Sequence, residues 1–323
     1  MKKDFNIKNN DIDKRIRFIG KCVRKINPYF TEEKFKKCNK TMDKYIKGHW
    51  LDNKTKIETV FLNRNDGTKL RVLICRSKKK TIHKPLTGVL WLHGGGYAIG
   101  LPEQDYMFAS LFSKDGSSIT ILPDYTRSID APYPAALEDC YLTLKWMYDN
   151  AEKLGINKNQ IFVGGESAGG GLAAALCIYA RDRNEVKIAF QMPLYPMLDD
   201  RGITASSKNN DAPVWNTKSN EVAWNLYLKG LDKNSVPSYA APARESNLKN
   251  LPHACTYIGT IEPFYDETIE YFNKLKASGV EVDIKEFSGC YHAFDLFGSK
   301  TKLGNEARKF LLDCFKNAQE KYI

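Results

Sequence analysis

The chain has 323 residues, of which 42% are hydrophobic and 12% aromatic, so it can bury the core of one large domain. With 49 Lys/Arg and 38 Asp/Glu it carries a formal net charge of +11. No apolar run reaches the roughly 18 residues of a membrane span, and the start lacks the apolar stretch of a secretory signal, so we expect a cytoplasmic protein.

Eight cysteines are scattered along the chain without Cys-x-x-Cys spacing, and several of them lie in apolar runs. Thiols that hold zinc or exchange disulfides usually come in close pairs. We therefore interpret the cysteines as reduced packing residues, and we predict no metal site.

The positive charge is concentrated in the first 50 residues, which hold 15 Lys/Arg and 6 Asp/Glu. Apolar residues recur there at helical spacing in two stretches, namely Ile12, Ile16, Ile19, Val23 and Ile26, then Phe35, Cys38, Met42 and Tyr45. We predict two amphipathic helices whose apolar faces pack on the body of the protein while the lysines stay in solvent. Contact with a membrane surface or a polyanion is the less favoured interpretation, and we expect no nucleic-acid partner.

After this segment the chain alternates between strand-like and helix-like patterns. Residues 57–62 and 70–75 flank Asn65-Asp66-Gly67, which predicts a hairpin. Further strands are predicted at 89–92, 118–122, 161–163, 188–194, 254–258 and 280–287. Helices are predicted around 107–112, at 135–154, after 167, near 268–277 and at 302–317. This alternation predicts an α/β fold with a mostly parallel sheet and helices on both faces.

Between about residues 199 and 236 the alternation is interrupted by polar turns around aromatic residues. Such an insertion and the N-terminal helices are candidates for a lid over a site. We therefore predict a helical cap segment at 1–50 and a catalytic domain at 51–323 that contains a cap insertion at about 199–236.

The most informative segment joins the apolar run 161–163 to a helix-forming stretch through Gly165-Glu166-Ser167-Ala168-Gly169. A serine on a sharp strand-to-helix turn has its hydroxyl held outward by a strained backbone, and the flanking glycines allow the turn. The pattern is typical of a serine nucleophile.

A second motif, His93-Gly94-Gly95-Gly96, follows the predicted strand 89–92. A serine that attacks a carbonyl needs hydrogen-bond donors for the oxyanion that forms. Glycines let the substrate approach backbone N–H groups closely, so we predict that Gly94, Gly95, Gly96 and Ala168 supply these donors.

The serine also needs a base, and the base needs an orienting acid, in the chain order serine, acid, histidine. Only two of the five histidines follow Ser167, and His253 stands at the start of the strand that should deliver the acid. His292, after the last strand, is therefore the predicted base. Glu262 lies at a strand end and is the favoured acid, while Asp266, about one helical turn later, is the alternative.

These motifs together resemble the hormone-sensitive-lipase-like branch of the α/β hydrolases, from about Lys69 to the C-terminus. The glycine loop at 93–96 matches the oxyanion motif of that family, residues 165–170 match its nucleophile elbow, and Asp124-Tyr125 with 132–139 matches the segment between them. The resemblance implies an α/β-hydrolase fold with a helical cap and a serine esterase without a cofactor.

The sequence departs from the family pattern at several positions. Glu166 and Glu262 stand where the family usually has Asp, and Phe264 replaces a Leu after the acid. Thr126 and Asp130 replace an Arg and a Glu, and Ala293 replaces the Gly after the histidine. An ion pair of the 124–130 segment is therefore in doubt, but no required chemical role is lost.

The sequence thus predicts hydrolysis of small carboxylic esters with short acyl chains through an acyl-enzyme. An amidase or formamidase, or a ligand-binding member without activity, stays open as an alternative. Bulky side chains are expected to border the pocket or to pack in the core, namely Tyr97, Tyr195, Met197, Trp215 and Phe264. The oligomeric state is not determined, with a homodimer as one option.

Overall fold

The protein is described by a computed structural model over residues 6–79 and 85–322. Its centre is an eight-stranded sheet in the order β1-β2-β4-β3-β5-β6-β7-β8. The strands are β1 Thr55–Asn63, β2 Lys69–Ser77, β3 Leu86–Leu92, β4 Ser118–Pro123, β5 Ile156–Glu166, β6 Phe190–Leu194, β7 His253–Gly259 and β8 Val282–Phe287. The pairs β1–β2 and β2–β4 are antiparallel, and every other pair is parallel.

The helices of the described residues are α1 Arg17–Ile26, α2 Glu32–Tyr45, α3 Tyr106–Ser113, α4 Ala135–Asp149, α5 Ala151–Leu154, α6 Ala168–Arg183, α7 Thr217–Tyr227, α8 Tyr265–Ala277, α9 Phe294–Phe297 and α10 Lys302–Lys321. Helices α4 and α6 pack against each other and the sheet, as do α3 and α10. Strands β3, β4 and β6 are buried along their whole length, because helices cover both faces of the sheet.

The predicted hairpin and the predicted strand–helix alternation are present, with differences at element boundaries. Strand β5 begins at Ile156, five residues before the predicted start. The polar run 157–160 that follows Ile156 has no strand-like apolar pattern, so the sequence did not indicate this part of the strand. The helix predicted at 135–154 is divided at Asn150, whose side chain donates to Trp146 O at 2.9 Å and ends α4.

In the N-terminal segment the structure differs from the prediction in where the first helix begins and in which apolar residues are buried. Helix α1 begins only at Arg17, so Ile12 and Ile16 are buried from the turns that precede it. Ile26 and Tyr45 were expected to pack on the body, but they are 82% and 63% exposed because each lies at the last turn of its helix. No helix among the described residues is long and apolar enough to cross a membrane.

Candidate active site

Ser167 lies on the sharp turn between β5 and α6. Its backbone angles are φ 59° and ψ −120°, in the left-handed region that a residue with a side chain rarely adopts. Two hydrogen bonds hold this turn, from Ser167 N to Leu194 O and from Met197 N to Ser167 O, both at 3.0 Å. A Cβ on Gly169 would lie 1.9 Å from Leu92 O, so only glycine allows α6 to approach β3 this closely.

His292 and Glu262 meet Ser167 at the carboxyl ends of the strands. His292 Nε2 lies 2.8 Å from Ser167 Oγ, and His292 Nδ1 is hydrogen-bonded to Glu262 Oε2. Glu262 Oε1 also accepts a hydrogen bond from Gly259 N at 3.1 Å. All three side chains are buried, and burial raises the pKa of the Glu262 carboxyl against the lowering effect of His292.

The alternative acid, Asp266, has other partners. Its carboxylate accepts a hydrogen bond from Ser206 N at 2.7 Å, and its own N–H donates to Ser206 Oγ at 3.0 Å. These bonds attach the start of α8 to the segment after β6. Of the two predicted acids, the structure therefore brings Glu262 to the histidine.

The glycine loop differs from the prediction at one residue. Gly94 N–H donates to Glu166 Oε1 at 2.6 Å, so this amide is occupied and we exclude it from the oxyanion donors. Gly95 and Gly96 have φ of 123° and 60°, which favour glycine, and Gly95 lines the same cavity as Ser167. Ala168 is the first residue of α6, so its N–H has no acceptor within that helix.

The carboxyl groups of Glu166 and Asp105 form a buried pair near the glycine loop. The sequence motif indicated Glu166, but no sequence pattern indicated Asp105. Glu166 also accepts a hydrogen bond from Trp91 Nε1 at 3.1 Å, and the buried carboxyl group of Asp105 lies close enough for the two carboxyl groups to affect each other's pKa. Burial raises the pKa of Asp105 to about 7, and burial with the Asp105 charge raises the pKa of Glu166 well above its ordinary value. Burial and the neighbouring carboxylate both oppose ionisation, so the pKa values of the two groups lie above their ordinary range.

A cavity of about 600 Å³ opens above Ser167 and His292. Its apolar wall consists of Val23, Ile26, Phe30, Ile99, Val214, Trp215, Leu296 and Phe297. Most of this wall comes from the N-terminal segment, from the region just before α7 and from α9. The amphipathic stripe of α1 already contained Val23 and Ile26, but no sequence signal connected them with Ser167.

Of the bulky side chains predicted near the pocket, only Trp215 lines this cavity. Tyr97 stacks on Tyr227 with ring centroids 3.9 Å apart and donates its hydroxyl to Met197 O at 3.0 Å. Tyr195 and Phe264 pack edge-on against the His292 ring at 5.0 and 5.1 Å. Both are fully buried behind the histidine and not in the wall of the cavity, which is the core-packing alternative of the prediction.

Residues 89–296, which include the glycine loop, the elbow and His292, match the family of the α/β-hydrolase fold. The chain belongs to this family. The α/β-hydrolase fold and the family resemblance predicted from the motifs are therefore confirmed.

Relatives of this α/β hydrolase include several esterases. It is 30% identical over 220 residues to the esterase LipI of Mycobacterium tuberculosis, which covers 68% of this chain and 69% of that protein. It is 30% identical over 236 residues to the carboxylesterase NlhH of the same organism, covering 71% and 73%. A bacterial heroin esterase superimposes with a TM-score of 0.86 and 28% identity over 96% of this chain and 98% of that one. These relatives confirm the predicted enzyme class, a carboxylic ester hydrolase.

Proposed function

We propose that this α/β hydrolase is a serine esterase that hydrolyses short-chain acyl esters through Ser167, His292 and Glu262. The observation that carries the proposal is the 2.8 Å contact between Ser167 Oγ and His292 Nε2 at the floor of an apolar cavity. A buried serine within hydrogen-bond reach of a histidine that is itself bonded to a carboxylate has the arrangement of an activated nucleophile.

In the proposed reaction Ser167 Oγ bonds to the ester carbonyl carbon while His292 Nε2 takes the hydroxyl proton. Glu262 stabilises the resulting imidazolium, which then gives its proton to the departing alcohol oxygen. Water attacks the acyl-enzyme in the same way and releases the acid. The N–H groups of Gly95, Gly96 and Ala168 are the proposed oxyanion donors, and loss of one such donor typically costs about 2.7–4 kcal/mol of barrier.

The preference for short acyl chains is supported by the cavity. Its volume of about 600 Å³ lies within the usual range of small-molecule sites. The aromatic side chains of Trp215 and Phe30 stand in its wall, where they can pack against a small or aromatic acyl group. The proposed substrate is therefore a small, largely apolar ester.

The wall also supports the proposal that residues 1–50 and about 199–236 form a cap. Asn216 Nδ2 donates to Pro28 O at 2.6 Å, and Phe30 N donates to Ser219 Oγ at 3.0 Å. The rings of Phe30 and Trp215 lie 5.8 Å apart. The two segments thus contact each other where they border the cavity.

Replacement of Ser167 by Ala tests the proposed function. We expect it to abolish hydrolysis of p-nitrophenyl butyrate and labelling by a fluorophosphonate, because both need the serine oxygen. Ser288→Ala, a change at an exposed serine on the loop before His292, is the matched control and should keep both. Activity or labelling that survives in Ser167→Ala would show that another group is the nucleophile.

A further inference from the structure

The outer face of α1 carries apolar side chains into solvent. Phe18 is 78% exposed and Ile26 is 82% exposed, and Cys22 between them is exposed too. At 3.6 residues per turn these three side chains form one stripe along the helix. The opposite face packs on the body, since a Cβ on Gly20 would lie 2.8 Å from the Tyr291 ring.

This stripe continues to the mouth of the active-site cavity. Ile26 lines the cavity together with Val23, Leu296 and Phe297, and Phe297 is 46% exposed. Most of the large hydrophobic side chains that are exposed in the described residues lie near the N-terminus, namely Phe18, Ile26, Tyr29, Tyr45 and Leu51. A contiguous apolar surface of this kind marks a binding face rather than a surface adapted to water.

Positive charge lies on the same helix. Helix α1 contains Arg17, Lys21, Arg24 and Lys25 and no acidic residue. The guanidinium groups bind backbone carbonyls of the segment before the helix, whereas Lys21 and Lys25 are exposed and form no salt bridge with any described residue. On the helical wheel these two lysines flank the Phe18 side of the stripe. A helix that presents cations beside exposed apolar side chains has the composition of one that binds the interface of a bilayer.

We propose that α1 docks this esterase on the surface of an anionic lipid bilayer. Phe18 and Ile26 enter the boundary between headgroups and acyl chains, and Lys21 and Lys25 contact the lipid phosphates. A second copy of the chain is the less suitable occupant, because a symmetric contact would bring the same positive charges together. The cavity mouth would then face the lipid, so the substrates would be esters dissolved in the bilayer, a consequence that rests on the proposed function.

Co-sedimentation with vesicles tests the docking. We expect the full-length protein to sediment with vesicles that contain phosphatidylglycerol and to stay in solution with phosphatidylcholine alone. The double variant Lys21→Glu/Lys25→Glu should lower the partition coefficient by at least about tenfold, since each lysine near an anionic surface strengthens binding of the protein to the bilayer. Phe18→Ser should also lower it, and this loss should persist when salt is added, because it removes apolar contact rather than charge.

The matched control is Lys274→Glu/Lys276→Glu at the end of α8, which changes the net charge equally at two exposed lysines elsewhere. Equal losses in the two double variants would overturn the proposal, because only total charge would then matter. Absence of sedimentation with every vesicle would overturn it as well. A dimer in solution that Phe18→Ser or the α1 double variant dissociates would instead assign the face to a second copy.

Two further measurements keep folding and catalysis apart from docking. Lys21, Lys25 and Phe18 lie outside the cavity, so their variants should hydrolyse p-nitrophenyl acetate in solution as the unmodified protein does. Ser167→Ala should bind vesicles normally although it hydrolyses nothing. Failure of docking and failure of the proposed reaction are therefore separable outcomes.

Discussion

At the residue scale, the partner of His292 depends on backbone position. Glu262 and Asp266 are both carboxylates in one short stretch after β7, and the sequence alone allows either to orient the histidine. Glu262 lies before α8, where the loop turns it toward Nδ1 of His292. Asp266 lies inside the first turn of α8, where it binds the backbone of Ser206. Both side chains are carboxylic acids. Their places in the chain, Glu262 in the loop before α8 and Asp266 in its first turn, determine which of them contacts His292.

A pair of isosteric substitutions tests this assignment. We expect Glu262→Gln to lower kcat for p-nitrophenyl butyrate by about 10⁴-fold, as loss of the orienting carboxylate does in comparable triads. Asp266→Asn should leave kcat nearly unchanged and should lower the thermal midpoint instead, because it weakens a partly buried hydrogen bond from Ser206 N. The reverse pattern in steady-state kinetics would assign the acid to Asp266.

Glu166 stands where the family usually has Asp, and its side chain contacts residues of two other segments. This residue precedes the nucleophile, and its carboxyl spans the indole of Trp91 and the amide of Gly94. It therefore joins β3, the glycine loop and the elbow at one point. The motif pattern revealed the substitution, but the partners of the longer side chain follow only from the packing.

At the scale of elements, the wall of the cavity is built where chain segments distant in sequence contact each other. Trp215 precedes α7, and its ring packs against Phe30 and Phe35 of the N-terminal segment. It also restricts the glycine loop, because a Cβ on Gly96 would lie 2.3 Å from the indole. This one side chain of the proposed cap insertion contacts both the N-terminal segment and the glycine loop.

Shortening Trp215 should therefore widen the range of substrates. We expect Trp215→Leu to raise kcat/KM for p-nitrophenyl decanoate relative to acetate by at least about tenfold, within the range that one pocket contact controls. Trp224→Leu is the matched control, since Trp224 packs on Tyr97 and outside the cavity wall. An unchanged ratio in Trp215→Leu, or an equal change in both variants, would contradict the place given to Trp215.

At the scale of the whole molecule, the parallel sheet assembles the site. The carboxyl ends of neighbouring parallel strands lie at one edge, so the segments that follow β3, β5, β7 and β8 converge there. Ser167 and His292 are 125 residues apart in the chain and 2.8 Å apart in space. The connecting helices cover the sheet, so the converging groups are buried at the floor of the cavity.

That burial makes stability depend on pH through Asp105. Its pKa rises from 3.8 to about 7 on folding, so the folded state holds a proton that the unfolded state releases, and stability falls as pH rises between those values. Asp105→Asn removes the part of this dependence that Asp105 contributes. The difference in thermal midpoint between variant and unmodified protein should therefore become more positive by at least about 2 °C from pH 4 to pH 8.

Scanning calorimetry at several pH values measures this difference. Asp313→Asn, which removes a half-exposed carboxylate on α10, serves as the matched control for the loss of one acidic side chain. A constant difference for Asp105→Asn would contradict the raised pKa of Asp105 in the folded state.

The sequence by itself determined the features that local chemistry encodes. Alternating apolar runs gave the order of strands and helices, and the elbow at Ser167 and the glycine loop are marked by glycines whose backbone demands are local. The position of His292 followed from chain order in the fold. These predictions do not depend on which distant segments of the chain contact each other.

Only the tertiary structure decided which groups meet across the chain. The occupation of the Gly94 amide by Glu166, the burial of Asp105 beside it, and the exposure of Ile26 depend on how separate segments pack. Asn216 and Pro28, for example, are 188 residues apart and hydrogen-bonded. The hydrophobic effect is non-directional. Periodicity therefore predicts which residues share the apolar face of a helix or strand, but it does not predict which other segment that face packs against or whether it stays exposed to solvent.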